Sequence, residues 1–189
     1  MDTICRAEVL WDNSACISKI MKRVIFITGG QRSGKSKFAQ GLAESLSANP
    51  VYLATARVWD SDFKKRIERH KRDRGEHWDT IEVDEAIGSL NLYGKTILLD
   101  CITLWLTNIY HDNQYNLERS LSKAKEEWDK FSDQDFNLIV VSNEIGMSLH
   151  APDESSRHFA DLQGWINQHI AGKANQVYLM ISGIPLELK

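Results

Sequence analysis

No stretch of the 189-residue sequence is apolar for long enough to cross a bilayer, which takes about 20 consecutive apolar residues. The three cysteines, Cys5, Cys16 and Cys101, show no metal-type spacing, and one would stay unpaired if two were bridged. Reduced thiols in a cytoplasmic protein are therefore expected. The first twenty residues carry Asp2, Glu8 and Asp12 and lack the apolar segment of a signal peptide. Met21 stands directly before Lys22-Arg23, so residues 1–20 are expected to be a disordered tail or the product of an upstream start assignment. Net positive charge is lacking as well. The formal charge of −3 gives no whole-molecule attraction to nucleic acid or acidic membranes. Repeats and low-complexity linkers are missing, and the length suits a single α/β domain over residues 21–189.

What is there begins with Gly29-Gly30-Gln31-Arg32-Ser33-Gly34-Lys35-Ser36, a complete phosphate-binding loop. Val24-Ile25-Phe26-Ile27-Thr28 ahead of it reads as a buried parallel strand. Phe38, Ala39, Leu42, Ala43 and Leu46 behind it recur at helical spacing. Strand, glycine-rich turn and helix thus follow without a gap, as the mechanics of the loop require. The glycines let backbone N–H groups approach phosphates, and the helix N-terminus adds a partial positive charge. Lys35 would reach the β- and γ-phosphates, and the Ser36 hydroxyl would ligate Mg²⁺. The pattern points to binding of a nucleoside triphosphate.

Further strands are expected at Val51–Thr55, Thr80–Val83, Thr96–Asp100, Leu138–Val141 and Val177–Ile181. Helices are expected from about Ser61 to Arg74, after Asp100 around Leu104 and Ile109, after a cap at Asn116, and from about Ser155 to Ile170. In the helix after Asn116, Leu117, Leu121, Ala124, Trp128 and Phe131 share one face. Strands alternating with amphipathic helices predict a mostly parallel sheet covered on both faces.

Two further features bear on chemistry. Asp100 ends a buried-type strand, where an open α/β sheet presents its ligand site. It would either hold Mg²⁺ or cap the following helix; the phosphate loop upstream favours the metal. The segment Lys64–Arg74 holds Lys64, Lys65, Arg66, Arg69, Lys71, Arg72 and Arg74 against only Glu68 and Asp73, with His70 in its middle. It reads either as a solvated basic helix or as a cationic flank for a triphosphate, with His70 near the α-phosphorus. Neighbouring cations would lower the pKa of His70 and keep it neutral and nucleophilic. A nucleic-acid patch is disfavoured, because interleaved aromatics are missing and the overall charge is negative.

In these segments the chain resembles the bifunctional adenosylcobinamide kinase/adenosylcobinamide-phosphate guanylyltransferase family of late cobalamin synthesis. The resemblance is carried by Thr28-Gly-Gly-Gln-Arg-Ser-Gly-Lys-Ser36, Tyr52-Leu-Ala-Thr55, Arg66-Ile-Glu-Arg-His-Lys71, Leu98-Leu-Asp-Cys-Ile-Thr103 and Ser142-Asn-Glu-Ile-Gly-Met147. Arg157-His-Phe159, Asp161, Gly164, Asn167-Gln168 and Ser182-Gly-Ile184 extend it. The resemblance implies a RecA-like P-loop NTPase fold, assembly as a homotrimer, and two reactions. A nucleoside triphosphate, ATP or GTP, phosphorylates adenosylcobinamide. A histidine then takes GMP from GTP, releases pyrophosphate and passes GMP to the new phosphate. By motif position that histidine is His70. Nucleotide contacts are implied for Gly29 to Ser36, for Thr55, Ala56 and Arg57, and for Lys71, Arg72, Asp73 and Arg74. Glu82 and Asp100 match acidic positions of the nucleotide and metal site.

The chain departs from the family pattern at Ala160, where an arginine is usual, and at Trp165, where a basic or small residue is usual. Two other readings compete. One is a small-molecule kinase with no covalent intermediate. The other is a GTP-dependent switch, against which counts the lack of an Asn-Lys-x-Asp segment for reading guanine.

Overall fold

Apolar residues with period-two burial build the centre of the molecule. In β1 (Arg23–Gly29), Val24 and Phe26 enter one core cluster while Ile25 and Ile27 enter another. The same split separates Leu138 and Val140 from Ile139 and Val141 in β5 (Asn137–Val141). A strand buried on both faces must be covered on both faces, so the sheet is the middle layer of three. The structure is a computed structural model and describes residues 22–57, 75–147 and 151–189.

The remaining strands are β2 (Val51–Ala54), β3 (Asp79–Glu82), β4 (Thr96–Asp100), β6 (Gln176–Ile181) and β7 (Ile184–Glu187). They form one seven-stranded sheet in the order β3-β2-β4-β5-β1-β6-β7. Every pairing is parallel except that of β6 with β7. The helices are α1 (Lys35–Leu46), α2 (Ile102–Asp112), α3 (Leu117–Ser132) and α4 (Glu154–Lys173), with a 3-10 turn at Ile87–Ser89. The expected helix from Ser61 to Arg74 lies outside the described residues, as do residues 1–20.

One face of the sheet carries α2, α3 and α4, whose Trp105, Trp128, Phe131, Leu162 and Ile166 are fully buried. Truncating an aromatic of this kind typically costs about 3–5 kcal/mol. The other face carries α1, held close by Ala39 and Ala43, each with no exposed surface. Caps define the helix starts. The Asn116 side chain accepts from the Arg119 N–H at 2.9 Å, and Asp153 accepts from the Ser156 N–H at 2.7 Å. Each such cap is worth roughly 1 kcal/mol.

Sequence reasoning missed β7. Ile184-Pro-Leu-Glu187 carries a proline and no buried side chain, so its burial pattern gave no strand signal. The turn before it was the available clue. Ser182 and Gly183 both take positive φ, 52° and 85°, the conformation of a tight two-residue hairpin.

Candidate functional site

The phosphate loop is built from backbone that only small residues permit. At Gly29, with φ 148°, an added Cβ would sit 2.5 Å from the Met180 carbonyl oxygen. At Gly34, with φ 96°, it would sit 3.1 Å from the Cα of Gly183. The loop is braced by its neighbours, since the Gly183 N–H donates to the Ser33 carbonyl at 2.9 Å and the Glu144 N–H to the Gly29 carbonyl at 2.9 Å. Gln31 and Arg32 are exposed at the loop's outer turn, and Gly30 faces open space. Lys35 is buried and its Nζ donates to the carbonyls of Gly29 at 2.9 Å and Gly30 at 2.6 Å. Ser36 lies half-buried beside it in the first turn of α1, a helix that starts without a side-chain cap.

Register decides which acidic residues share this edge. Across the parallel ladder Glu82 pairs with Ala54, Ala54 with Asp100, Asp100 with Val141 and Val141 with Ile27. All stand at the carboxyl ends of their strands, where such sheets bind ligands. With strands about 4.8 Å apart, Asp100 lies roughly 10 Å along the edge from β1 and Glu82 roughly 19 Å. Asp100 is therefore within reach of phosphates on the loop, and exposed Glu82 only of the far end of a nucleotide. The Tyr52 hydroxyl donates to Asp100 Oδ2 at 3.1 Å and orients the carboxylate.

Thr55, Ala56 and Arg57 continue β2 past this edge. Thr55 is fully buried; its hydroxyl donates to the Cys101 carbonyl at 2.8 Å and accepts from the Cys101 N–H at 3.1 Å. Its side chain joins two strand ends. Arg57 is engaged by three carboxylates: Nε donates to Asp84 at 2.8 Å, and Nη1 and Nη2 donate to Asp112 at 2.8 Å and 2.7 Å. Nη2 also donates to Glu85 at 3.1 Å. The bidentate bond donated to Asp112 is the main force raising the Arg57 pKa, and it holds Asp112 well below the usual carboxylate range. Asp84 is lowered by the same guanidinium. Glu85 is shifted upward, first by burial and then by its contact with Asp112, against the pull of Lys123. Cys101 is buried, and burial, with help from the Asp100 charge, pushes its thiol up to about 12, so it stays protonated and unreactive.

A buried polar network, which sequence reasoning did not assemble, fixes the segment after β5. Gln163 Nε2 donates to Ser142 Oγ at 2.7 Å, to Thr103 Oγ1 at 2.9 Å and to the Asn143 carbonyl at 3.1 Å. Ser142 Oγ donates to Asn167 Oδ1 at 2.7 Å. Gln163 and Asn167 stand four apart on the same face as Phe159, Leu162, Ile166 and Ile170. Two amides on an otherwise apolar stripe were the signal. His70 and Lys71, Arg72, Asp73 and Arg74 fall outside the described residues.

A strand–loop–helix phosphate site with an acidic strand end beside it is shared by many enzymes. The sequence beyond it is more particular. A family model described as "Cobinamide kinase / cobinamide phosphate guanyltransferase" matches residues 25–188. The chain belongs to this family.

It is 34% identical to the bifunctional adenosylcobalamin biosynthesis protein CobU of Escherichia coli strain K12, over 88% of this chain and 99% of that relative. It is 35% identical to CobP of Pseudomonas aeruginosa, over 86% of this chain and 95% of the relative. The corresponding CobU of Salmonella typhimurium strain LT2 is 31% identical, over 88% and 99%. Among solved structures, an ATPase from the type III secretion system of pathogenic bacteria superposes with a TM-score of 0.55 at 10% identity. That superposition covers 84% of this chain and 52% of the ATPase, and the likeness is one of fold. The fold is RecA-like, with β5 standing between the strand of the phosphate loop and that of Asp100. No helix among the described residues is long and apolar enough to cross a membrane.

Proposed function

We propose that the chain catalyses two successive reactions on a corrinoid, as a kinase and then as a guanylyltransferase. The observation that carries this reading is membership of a family whose relatives, at 31–35% identity along nearly their whole length, are bifunctional adenosylcobalamin biosynthesis proteins. In the first reaction the aminopropanol hydroxyl of adenosylcobinamide forms a bond to the γ-phosphorus of ATP or GTP. The bond to the β,γ-bridging oxygen breaks and the nucleoside diphosphate leaves. In the second, His70 bonds to the α-phosphorus of GTP and pyrophosphate leaves. A phosphate oxygen of adenosylcobinamide phosphate then displaces His70 and takes the GMP.

Lys35 and the loop Gly29, Gly30, Gln31, Arg32, Ser33 and Gly34 hold the triphosphate in this scheme, with Lys71, Arg72, Asp73 and Arg74 along its flank. Ser36 and Asp100 would hold Mg²⁺, which supplies charge neutralisation when bound. Hard oxygen donors from one hydroxyl and one carboxylate suit that ion, which takes few protein ligands and completes its shell with water and phosphate oxygens. Ala56 and Glu82 line the way to the nucleoside end. Arg57 acts there indirectly, because three carboxylates already occupy its donors. Assembly is proposed as a homotrimer, and residues 21–189 as a single catalytic domain.

The test is GTP labelled at either the α- or the γ-phosphate. Label retained only from the α-position, labile in acid and stable in base, is expected for a phosphoramidate at histidine. His70→Ala should remove that label and guanylyl transfer while kinase turnover stays measurable, since only the second reaction needs the nucleophile. A His70→Ala protein that still retains α-label with the same lability would move the intermediate to another residue.

A further inference from the structure

The Glu144 N–H is bonded to the Gly29 carbonyl of the phosphate loop, and the next two residues, Ile145 and Gly146, line a cleft of about 720 Å³. The cleft therefore opens within two residues of the loop's own backbone. It lies on the side of the sheet covered by α2 and α4, away from α1.

Its wall is aromatic and held under constraint. Tyr110 packs edge-on against Tyr115, with ring centroids 5.4 Å apart, and lies 5.8 Å from Phe159. Gln114 and Tyr115 both adopt left-handed backbone, φ 56° and 61°, and the Tyr115 N–H donates back to the Tyr110 carbonyl at 2.8 Å. Non-glycine residues take this conformation at a cost, and such residues concentrate at ligand sites. The result here is a tyrosine that is 55% exposed at the cleft's edge. Tyr110 is only 4% exposed, and its hydroxyl is buried with no hydrogen-bond partner. A buried O–H left unmatched is unfavourable, and a polar group on a ligand would relieve it. Arg157 borders the same cleft, its guanidinium anchored by bonds from Nη1 to the carbonyls of Ala151 and Pro152.

We propose that this cleft is the acceptor subsite and takes the corrin of cobinamide, with the hydroxyl arm running along Ile145 and Gly146 to the phosphate loop. The assignment rests on the function proposed above. A triphosphate seated on the loop must be met by an acceptor from a second surface that shares the loop, at reacting distances near 3–3.5 Å. The cleft is such a surface. A corrin is a broad, largely apolar ring fringed with primary amides. Aromatic faces suit the ring, and the Tyr110 hydroxyl and Arg157 suit the amides.

The experiment compares the full chain with Tyr115→Ala and Tyr110→Phe. Steady-state kinase assays give separate KM values for cobinamide and nucleotide, and equilibrium dialysis follows retained corrinoid by its visible absorbance. Tyr115→Ala is expected to raise the cobinamide KM about 10-fold or more while the nucleotide KM stays within about 2-fold. Tyr110→Phe should raise it severalfold while melting at the same or a higher temperature without ligand, because the orphaned hydroxyl is gone. Uptake of α-label from GTP needs no acceptor and identifies any variant that has lost its fold. If the unmodified chain phosphorylates cobinamide and folded variants keep its KM, or if both KM values rise together, the cleft assignment is overturned and the functional reading stands. If the unmodified chain binds GTP but neither retains nor phosphorylates cobinamide, that reading falls and the assignment falls with it.

Discussion

Lys35 and Arg57 are two cations at the same edge of the sheet, and the structure treats them in opposite ways. Lys35 is 7% exposed and its ammonium rests on the neutral carbonyls of Gly29 and Gly30. Arg57 meets Asp84, Glu85 and Asp112. Backbone carbonyl dipoles orient the Lys35 ammonium against the loop. Three carboxylates hold the guanidinium of Arg57 in place. A cation near a phosphate loop is thus a ligand or a tie according to what already holds it.

The largest effect expected from breaking this contrast is at Lys35. Lys35→Ala should lower both the kinase and the guanylyl-transfer rates by about 10²-fold or more, because both reactions need one triphosphate positioned and neutralised. Steady-state rates of the two half-reactions check this, and near-normal turnover in either would mean that they do not share the loop.

Arg57→Ala should act on stability instead. It leaves three carboxylates facing one another with Lys123 as the nearby counter-charge. A loss of about 1–2 kcal/mol is expected for a partly exposed network of this kind, or a few degrees in melting temperature. The nucleotide KM should move by less than about 3-fold. A tenfold rise without a drop in melting temperature would restore Arg57 as a direct nucleotide contact.

A smaller effect concerns acid. Asp84 and Asp112 are held below the unfolded carboxylate value of about 4, so their contribution is present above that pH and is lost as pH falls towards their folded values. Glu85 is raised, so its contribution is present at low pH and is lost as pH rises through its folded value. In Arg57→Ala the largest cause of the depression of Asp84 and Asp112 is removed, and melting temperature between about pH 5 and about pH 3 should fall less steeply than in the unaltered chain. A steeper fall would show that other carboxylates dominate the acid limb.

The smallest effect is expected from removing residues 1–20. The family match begins at residue 25 and the first core strand at Arg23. A chain starting at Met21 should keep both activities and melt within about 2 °C of the full chain, since the segment's sequence shows no sustained apolar periodicity. A large drop in melting temperature would show that the segment docks on the domain.

Pattern alone determined the local chemistry and the layer order. The phosphate loop was legible because its function resides in backbone, and backbone of that shape demands glycines at set spacing, as Gly29 and Gly34 show. β4 was legible at both ends, Thr96 and Asp100, because a strand buried on both faces is a continuous apolar run. The Asn116 cap was legible because an N-cap is a bond between near neighbours. Tertiary structure decided whatever depends on pairing across the chain. The register from Glu82 to Ile27, the carboxylates around Arg57, the Gln163 network and the aromatic cleft join residues 20 to 60 positions apart or more. A sequence lists the charge of Arg57, Asp84 and Asp112 but not their separations. Electrostatic energy depends on separation, which the pairing of strands fixes and the order of residues along the chain does not.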